Sequence, residues 1–308
     1  MNQHDAKHIS AVQEAGLARS QASMTSACAH QLERMTSAFY AQQNQSFSQT
    51  RQAPWPGWER CLSYLGSSDE PSSVSSQDSS EKPKLLDVAC GNLRFERFMD
   101  AHSSISYDYY AVDNCKALAQ SDPDLFSRLT RFIELDLIDS ALNSRLTQDL
   151  SAPLSDALVC FGFMHHVPGV QTRLYVLDAL IDQIKPSGYG MFSFWQFMKS
   201  PKLAQKAVFS TQQALGASAS GEYRSSSLGL DAALRCAEFE LKASDLEKND
   251  YVLGWQEQAQ TWRYCHHFDE TEIDAYVQHI APCARVVQRF AADGATGNLN
   301  TYLVVQKL

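Results

Sequence analysis

Residues 84–95 read KLLDVACGNLRF, a short apolar run from Leu85 to Ala89 that breaks at Cys90, Gly91 and Asn92 into a helix start. A buried run of this length ended by glycine is how a parallel-sheet strand delivers a ligand-binding turn at its carboxyl end. The usual dinucleotide turn spends three glycines to bring backbone close to a pyrophosphate. Here only Gly91 is present, and Leu93 stands where a second glycine would fall. The pattern therefore argues against a phosphate cradle. What remains is an acid on the strand, Asp87, one glycine for close approach, and a second acid, Asp113, ending the strand-like run that starts at Tyr109. A carboxylate at that place takes both hydroxyls of a ribose, which suits a nucleoside ligand without phosphates.

The 308 residues, 44% of them hydrophobic and 20% charged, are enough for one α/β core with attachments or two small domains. A net charge of −9 speaks against a generally basic, nucleic-acid-coating surface and leaves room for a local basic patch. The eight cysteines form no C-x-x-C pair, and several lie in apolar runs, so they read as reduced, buried thiols. The first residues contain no apolar signal-peptide core, and no later run approaches membrane length. A soluble cytoplasmic protein is expected, with no membrane partner.

Residues 1 to about 35 are polar and alanine-rich without a strong apolar stripe and read as an extension or a frayed helix, followed by a helical entry segment over 36–66. Within it, Pro54 and Pro56 fix the chain around Trp55, and a second helix begins near Gly57. Residues 67–83 are a serine-rich linker without core-forming residues. The region 84–308 then reads as a nucleotide-type fold with strands over 85–89, 108–112, 131–135, 156–161 and 191–195, and helices over 92–101, 115–120 and 170–184. Lys185, Pro186, Ser187 and Gly188 read as a turn opening the fifth strand. Strands near 284–290 and 301–306 close the chain as a hairpin. Between them and the fifth strand lies an insertion, about 197–255, read as a substrate lid with helices over 201–214 and near 229–241 and a flexible loop over 218–227.

The first motif, Leu85 to Asn92, together with the acid Asp113, resembles the class I S-adenosyl-L-methionine (SAM) dependent methyltransferases. Two further stretches are more specific. Residues 47–51 (FSQTR) with 54–56 (PWP), and residues 263–273 (RYCHHFDETEI), resemble the tRNA wobble-uridine carboxymethyl methyltransferases. The resemblance implies an α/β, Rossmann-like class I methyltransferase fold: a mostly parallel seven-stranded sheet, a C-terminal antiparallel hairpin and a helical insertion. It implies SAM as cofactor, with S-adenosyl-L-homocysteine (SAH) as product. Cofactor contacts fall on Asp87, Ala89, Cys90, Gly91 and Asn92 of the first turn, on Asp113 and Asn114 of the second, and on Leu137 and Phe161. Asp136 either faces the adenine amino group or caps the next helix. Arg51 leans over the pocket, toward either the cofactor's carboxylate or the substrate's. A small zinc-binding activator subunit acts with the eukaryotic relatives.

Methyl transfer from a sulfonium is an in-line displacement in which the enzyme aligns the acceptor and excludes water. A carboxylate acceptor, as the resemblance implies, is ionised at neutral pH and needs a cation to orient it rather than a base. Arg263 or Arg51 can supply that contact. His165 and His166 follow the fourth strand, where the acceptor meets the methyl group, and either binds it or acts as base for a hydroxyl or ring nitrogen. Nothing in the spacing of the histidine pairs points to a metal. The acceptor is therefore a tRNA carboxymethyl group or a small carboxylate or hydroxyl metabolite; a SAM-binding protein without catalysis is the third alternative. A tRNA enzyme of this charge would need Lys84, Arg94, Arg97, Lys199, Lys202, Lys206 and Arg224 on one rim.

Overall fold

The structure, a computed structural model, describes residues 23–65, 81–220, 241–255 and 261–308. The predicted serine linker, apart from its last residues, and the predicted helix near 229–241, apart from its last residue, lie outside them, as do Arg224 and most of the N-terminal extension. In chain order the elements are α1 (Ser26–Thr50), α2 (Pro56–Cys61), β1 (Lys84–Val88), α3 (Arg94–His102), β2 (Asp108–Asp113), α4 (Lys116–Ala119), α5 (Pro123–Arg128) and β3 (Arg131–Glu134). There follow α6 (Leu137–Leu142), α7 (Leu146–Asp149), β4 (Ser155–Cys160), α8 (Val170–Asp182), β5 (Ile184–Trp195) and α9 (Pro201–Ser220). Last come β6 (Asp250–Gly254), β7 (Trp262–His266), α10 (Glu270–Ile280), β8 (Ala284–Ala292) and β9 (Asn300–Lys307).

The main sheet has the order β3-β2-β1-β4-β5-β9-β8, parallel from β3 to β5 and antiparallel through β9 and β8. This is the expected fold class. The order reverses between β1 and β4, so a crevice opens at their adjacent carboxyl ends, the position where open α/β sheets bind ligands. Both faces of β1 are covered. Leu86 and Val88 pack with α6, α8 and α10 side chains such as Ile138, Leu180 and Tyr276. Leu85 faces the other way, with Trp58 of α2 and Phe95 and Phe98 of α3.

Several expectations are corrected. Helix α1 begins at Ser26, inside the predicted polar extension, because Cys28, Leu32 and Met35 form one stripe that packs on Val252, Trp262 and Tyr264. Those residues belong to a second sheet, the antiparallel pair β6–β7, so among the described residues the stretch 197–266 holds helix α9 and a two-stranded sheet. Helix α9 runs on to Ser220, through the start of the predicted loop. Lys185 to Gly188 do not precede β5 as a separate turn but form an irregularity within it: the register to β4 jumps between Ser155 and Ala157, with Ser187 left-handed at φ 66°.

The entry segment is seated tightly. A Cβ on Gly57 would lie 2.4 Å from the ring of Tyr302, which is fully buried and held by its hydroxyl donating to Asp293 Oδ2 at 2.6 Å. The Gly57 N–H donates to the same carboxylate at 2.9 Å. Neither neighbour has room to give. Gly57→Ala is expected to destabilise the protein by about 2–3 kcal/mol, the range for overpacking a filled core, read as a midpoint shift in urea unfolding.

Candidate active site

The crevice between β1 and β4 opens into a cavity of about 590 Å³, walled by the carboxyl ends of β1, β2 and β4, by α1 and by β7. Its lining charges fall into two groups: Asp87, Asp113 and Asp136 where β1, β2 and β3 end, and Arg51 and Arg263, each 5.5 Å from the Trp255 ring; Arg94 and Asp293 line it as well.

Beside the acids, the β1 turn passes through left-handed conformations at Ala89 (φ 56°), Gly91 (φ 56°) and Leu93 (φ 55°). Leu93 adopts the conformation a glycine would, at a cost of about 1–2 kcal/mol. Its fully buried side chain joins the core beside Phe95, and burial of a leucine is worth about 1.5–3 kcal/mol. The missing second glycine therefore leaves the turn on a glycine-like path. Cys90 donates its N–H to Val112 O at 3.1 Å, closing the turn onto β2. Asp113 accepts the Gly91 N–H at 2.9 Å on one oxygen and the Cys115 N–H at 2.8 Å on the other, while burial pushes its carboxyl up to about 6. Asp87 is buried and accepts the Tyr109 hydroxyl at 2.8 Å; burial pushes it up to about 7.

Three predicted cofactor residues spend much of their capacity on the protein. Asn92 donates to Ser48 Oγ (3.2 Å) and to the Arg51 carbonyl (3.0 Å), tying the end of α1 to the β1 turn. Asn114 donates to Asp136 Oδ2 at 2.8 Å and to Ser37 Oγ at 3.0 Å. Asp136 caps α6, its Oδ1 accepting from the N–H groups of Ile138 and Asp139, so the capping alternative holds. All three still line the cavity, as do Leu137 and Phe161. Phe161 is wedged between Trp58 (5.8 Å, stacked) and Phe95 (5.1 Å, edge-on). Trp55 presses on Gly162, where a Cβ would meet its ring at 3.0 Å.

Of the arginines, Arg263 of β7 is 6% exposed, its guanidinium over Phe39 (4.7 Å) and Trp255 (5.5 Å). Its Nε and Nη1 are buried without a hydrogen-bond partner, and it makes no ion pair among the described residues. Arg51, the C-cap of α1, lies at the same distance, 5.5 Å, from the Trp255 ring. Burial and Arg263 lower its pKa.

The two histidines differ. His166 Nδ1 lies 2.8 Å from the Tyr264 carbonyl, which only accepts, so Nδ1 carries the proton. Its Nε2 then accepts the Tyr40 hydroxyl at 2.8 Å. Both nitrogens are committed, and burial lowers the pKa to about 3. This corrects the catalytic reading of His166: it is a neutral strut joining α1 to β7. His165 is 8% exposed with Nδ1 unpartnered, and burial, His166 and Arg263 hold it well below the usual imidazole range. Cys265 completes a cluster with the two histidines whose ligand atoms lie within 4.8 Å. The proton on His166 Nδ1, and burial that pushes the Cys265 thiol up to about 11, leave two of the three protonated rather than ready to ligate.

Of the proposed basic rim, Arg94 lines the cavity and Lys84 does not. Lys84 opens β1, at the edge of the sheet opposite the crevice, because the crevice lies where β1 ends. Arg97 pairs with Asp122 at 2.9 Å and Lys199 with Glu270 at 2.7 Å, while Lys202 and Lys206 are exposed on α9. Sequence reasoning missed Tyr40, Ser37 and Trp195 among the cavity residues. A signal existed for the first two. Ser37, Tyr40, Ser48 and Arg51 follow helical spacing along α1, and a polar stripe at that spacing faces one side.

Neither a protein-family model nor a curated protein matches the chain. Solved structures do. The chain is similar to a SAM-dependent methyltransferase from Methanosarcina mazei, with 15% identity, 75% of this chain and 94% of that one covered, and a TM-score of 0.47. It is also similar to the 1,6-didemethyltoxoflavin N1-methyltransferase of Burkholderia thailandensis, solved with 1,6-didemethyltoxoflavin and S-adenosylhomocysteine: 12% identity, 87% and 84% covered, TM-score 0.48. A third is an N-methyltransferase from Bradyrhizobium japonicum in complex with S-adenosylhomocysteine, with 10% identity, 74% and 79% covered, TM-score 0.40. Among the described residues no helix is long and apolar enough to cross a membrane.

Proposed function

We propose that the protein is a SAM-dependent methyltransferase that converts a carboxylate into its methyl ester, the acceptor being the carboxymethyl group of a modified tRNA wobble uridine. The observation that carries the carboxylate is Arg263. A buried guanidinium with unsatisfied N–H groups is costly unless an anion completes it, and a carboxylate matches its planar fork.

The residues fit the cofactor. Asp113 retains lone pairs for ribose hydroxyls, Leu137 offers an apolar wall to a base, and the acids and arginines of the cavity match a ligand carrying a sulfonium and a carboxylate. Bound there, SAM would supply an electrophilic methyl group. The chain's own part is to orient the acceptor through Arg263 and to exclude water with Phe39, Trp195 and Trp255. His165 donates or accepts a hydrogen bond as a neutral ring. Burial holds both imidazoles below their ordinary range, which makes either a weaker base for a hydroxyl. That favours an acceptor that arrives ionised. The tRNA assignment rests on residues 47–56 and 263–273.

A second reading, a small carboxylate metabolite, is favoured by the net charge of −9 and by the incomplete basic rim. The test is transfer of labelled methyl from SAM to bulk tRNA lacking wobble methyl esters, with a metabolite extract in parallel, scoring label released as methanol by mild base. Base-labile label on tRNA supports the first reading, and label confined to the extract selects the second. Absence of base-labile label from both, with and without added cell lysate to supply a partner subunit, overturns ester formation.

A further inference from the structure

Asp136 is tied to α1 by a hydrogen-bond chain whose protons can be counted. Ser37 Oγ lies 3.0 Å from Asp136 Oδ2 and 2.8 Å from Glu33 Oε1. Asn114 Nδ2 supplies donors to Ser37 Oγ and Asp136 Oδ2 and none to Glu33. A serine hydroxyl has one proton, so with both carboxylates ionised one of its two contacts would set lone pair against lone pair. The count closes when Glu33 keeps its proton: Glu33 donates to Ser37, and Ser37 donates to Asp136.

The surroundings favour that proton. Glu33 is 6% exposed and makes no ion pair among the described residues. From α6 and its cap it faces Asp136 and Asp139; from its own helix, His30 and Ser37; from the end of β2, Asn114. His30 Nδ1, at 3.9 Å, and Arg145 Nη2, at 3.4 Å, approach Asp139. Arg34 is exposed on the solvent side of α1.

We infer that Glu33, in its protonated form, is a positioning residue for the cofactor: it latches α1 to Asp136 and so holds the helix bearing Tyr40 and Arg51 over the cleft. Burial and Asp136 push the Glu33 carboxyl up to about 7. The sign follows: a carboxyl raised from its ordinary value favours the latched state at low pH, and that advantage is lost as pH rises through about 7. The inference rests on the cofactor reading above.

Isothermal titration of the full chain with SAH from pH 6 to 9 tests it, together with Glu33→Gln, whose amide mimics the protonated acid. Wild-type affinity is expected to fall by about tenfold between pH 7 and 8.5, as binding linked to one proton requires. Glu33→Gln is expected to lose the part of that fall that Glu33 causes and to keep a shallower profile set by the remaining carboxylates of the cavity. The comparison matters because Asp87 and Asp113 also titrate near neutrality in the same cavity. A flat wild-type profile, or a Glu33→Gln profile that falls like the wild type, overturns the inference. Failure of SAH to bind at any pH instead overturns the cofactor reading. The latch is then decided by hydrogen exchange in residues 33–40, corrected for the intrinsic rate: protection lost above pH 7 in the wild type and kept in Glu33→Gln supports it, and equal protection overturns it.

Discussion

Arg263→Met is expected to lower kcat/KM for the acceptor by about 10²- to 10³-fold, equivalent to about 3–4 kcal/mol of lost transition-state binding. Affinity for SAH should stay within about twofold, a small change beside the tenfold that one lost charged contact commonly brings. Methionine keeps an unbranched apolar stem between Phe39 and Trp255, so the fold is little disturbed. What disappears is the cation, together with the Nε and Nη1 groups that find no partner among the described residues. Arg51 is relieved of a like charge at the same time, since Arg263 is one cause of its lowered pKa. Cofactor binding through Arg51 should therefore not suffer. Arg263→Lys restores a point charge but not the planar fork and should recover part of the loss. Steady-state kinetics with the acceptor found by methyl labelling, and titration with SAH, separate the two effects. An unchanged kcat/KM in Arg263→Met would sink the proposal that this arginine receives the acceptor's carboxylate.

The sheet was legible because its signals are local. Leu85 to Val88 is a continuous buried run, and Asp113 ends the next strand in register beside it, with Asp87 opposite Ala111. Asp269 followed three residues on by Glu272 is a local signal of the same kind: its side chain accepts the Glu272 N–H at 2.9 Å and starts α10. What could not be read depends on partners distant in sequence. Leu93 looks like a fault in the motif, yet it takes the left-handed conformation because its side chain completes the core. The β6–β7 pair depends on distant residues: its strands are apolar because they pack on Cys28 and Leu32, far away in the chain. His166 looked like a catalytic residue until Tyr40 and the Tyr264 carbonyl took both of its nitrogens. Adjacent histidines share a sequence signal and part company only through what each one touches.

Arg173→Met should destabilise the protein by about 3–5 kcal/mol, the scale for removing one partner of a buried charge network. Arg173 is 2% exposed, and acceptors meet all three of its guanidinium nitrogens. It donates through Nε to the Tyr276 hydroxyl (2.9 Å), through Nη1 to Val167 O and the Tyr264 hydroxyl (both 3.2 Å), and through Nη2 to Glu247 Oε2 (3.2 Å). Glu272 Oε1 is 3.4 Å from Nε. The same carboxylates bind further groups: Glu247 accepts the Met24 and Val170 N–H groups, and Glu272 faces His266, whose other nitrogen meets Asp250. One guanidinium thus joins α8, α10, β7 and the segment before β6. Without it, Glu247 and Glu272 stay buried with less compensation, and β7, which carries Arg263, loses its anchor through Tyr264. Turnover should therefore fall along with the urea midpoint. Adding Glu272→Gln to Arg173→Met should recover part of the stability, because the two groups are coupled and the double variant removes a stranded charge. Midpoints for the wild type, both single variants and the double variant form the cycle that decides it. A single variant within about 1 kcal/mol of the wild type would make the network no more consequential than an exposed ion pair. The arginine's place in the fold would then have to be explained by what it does for the position of β7 alone.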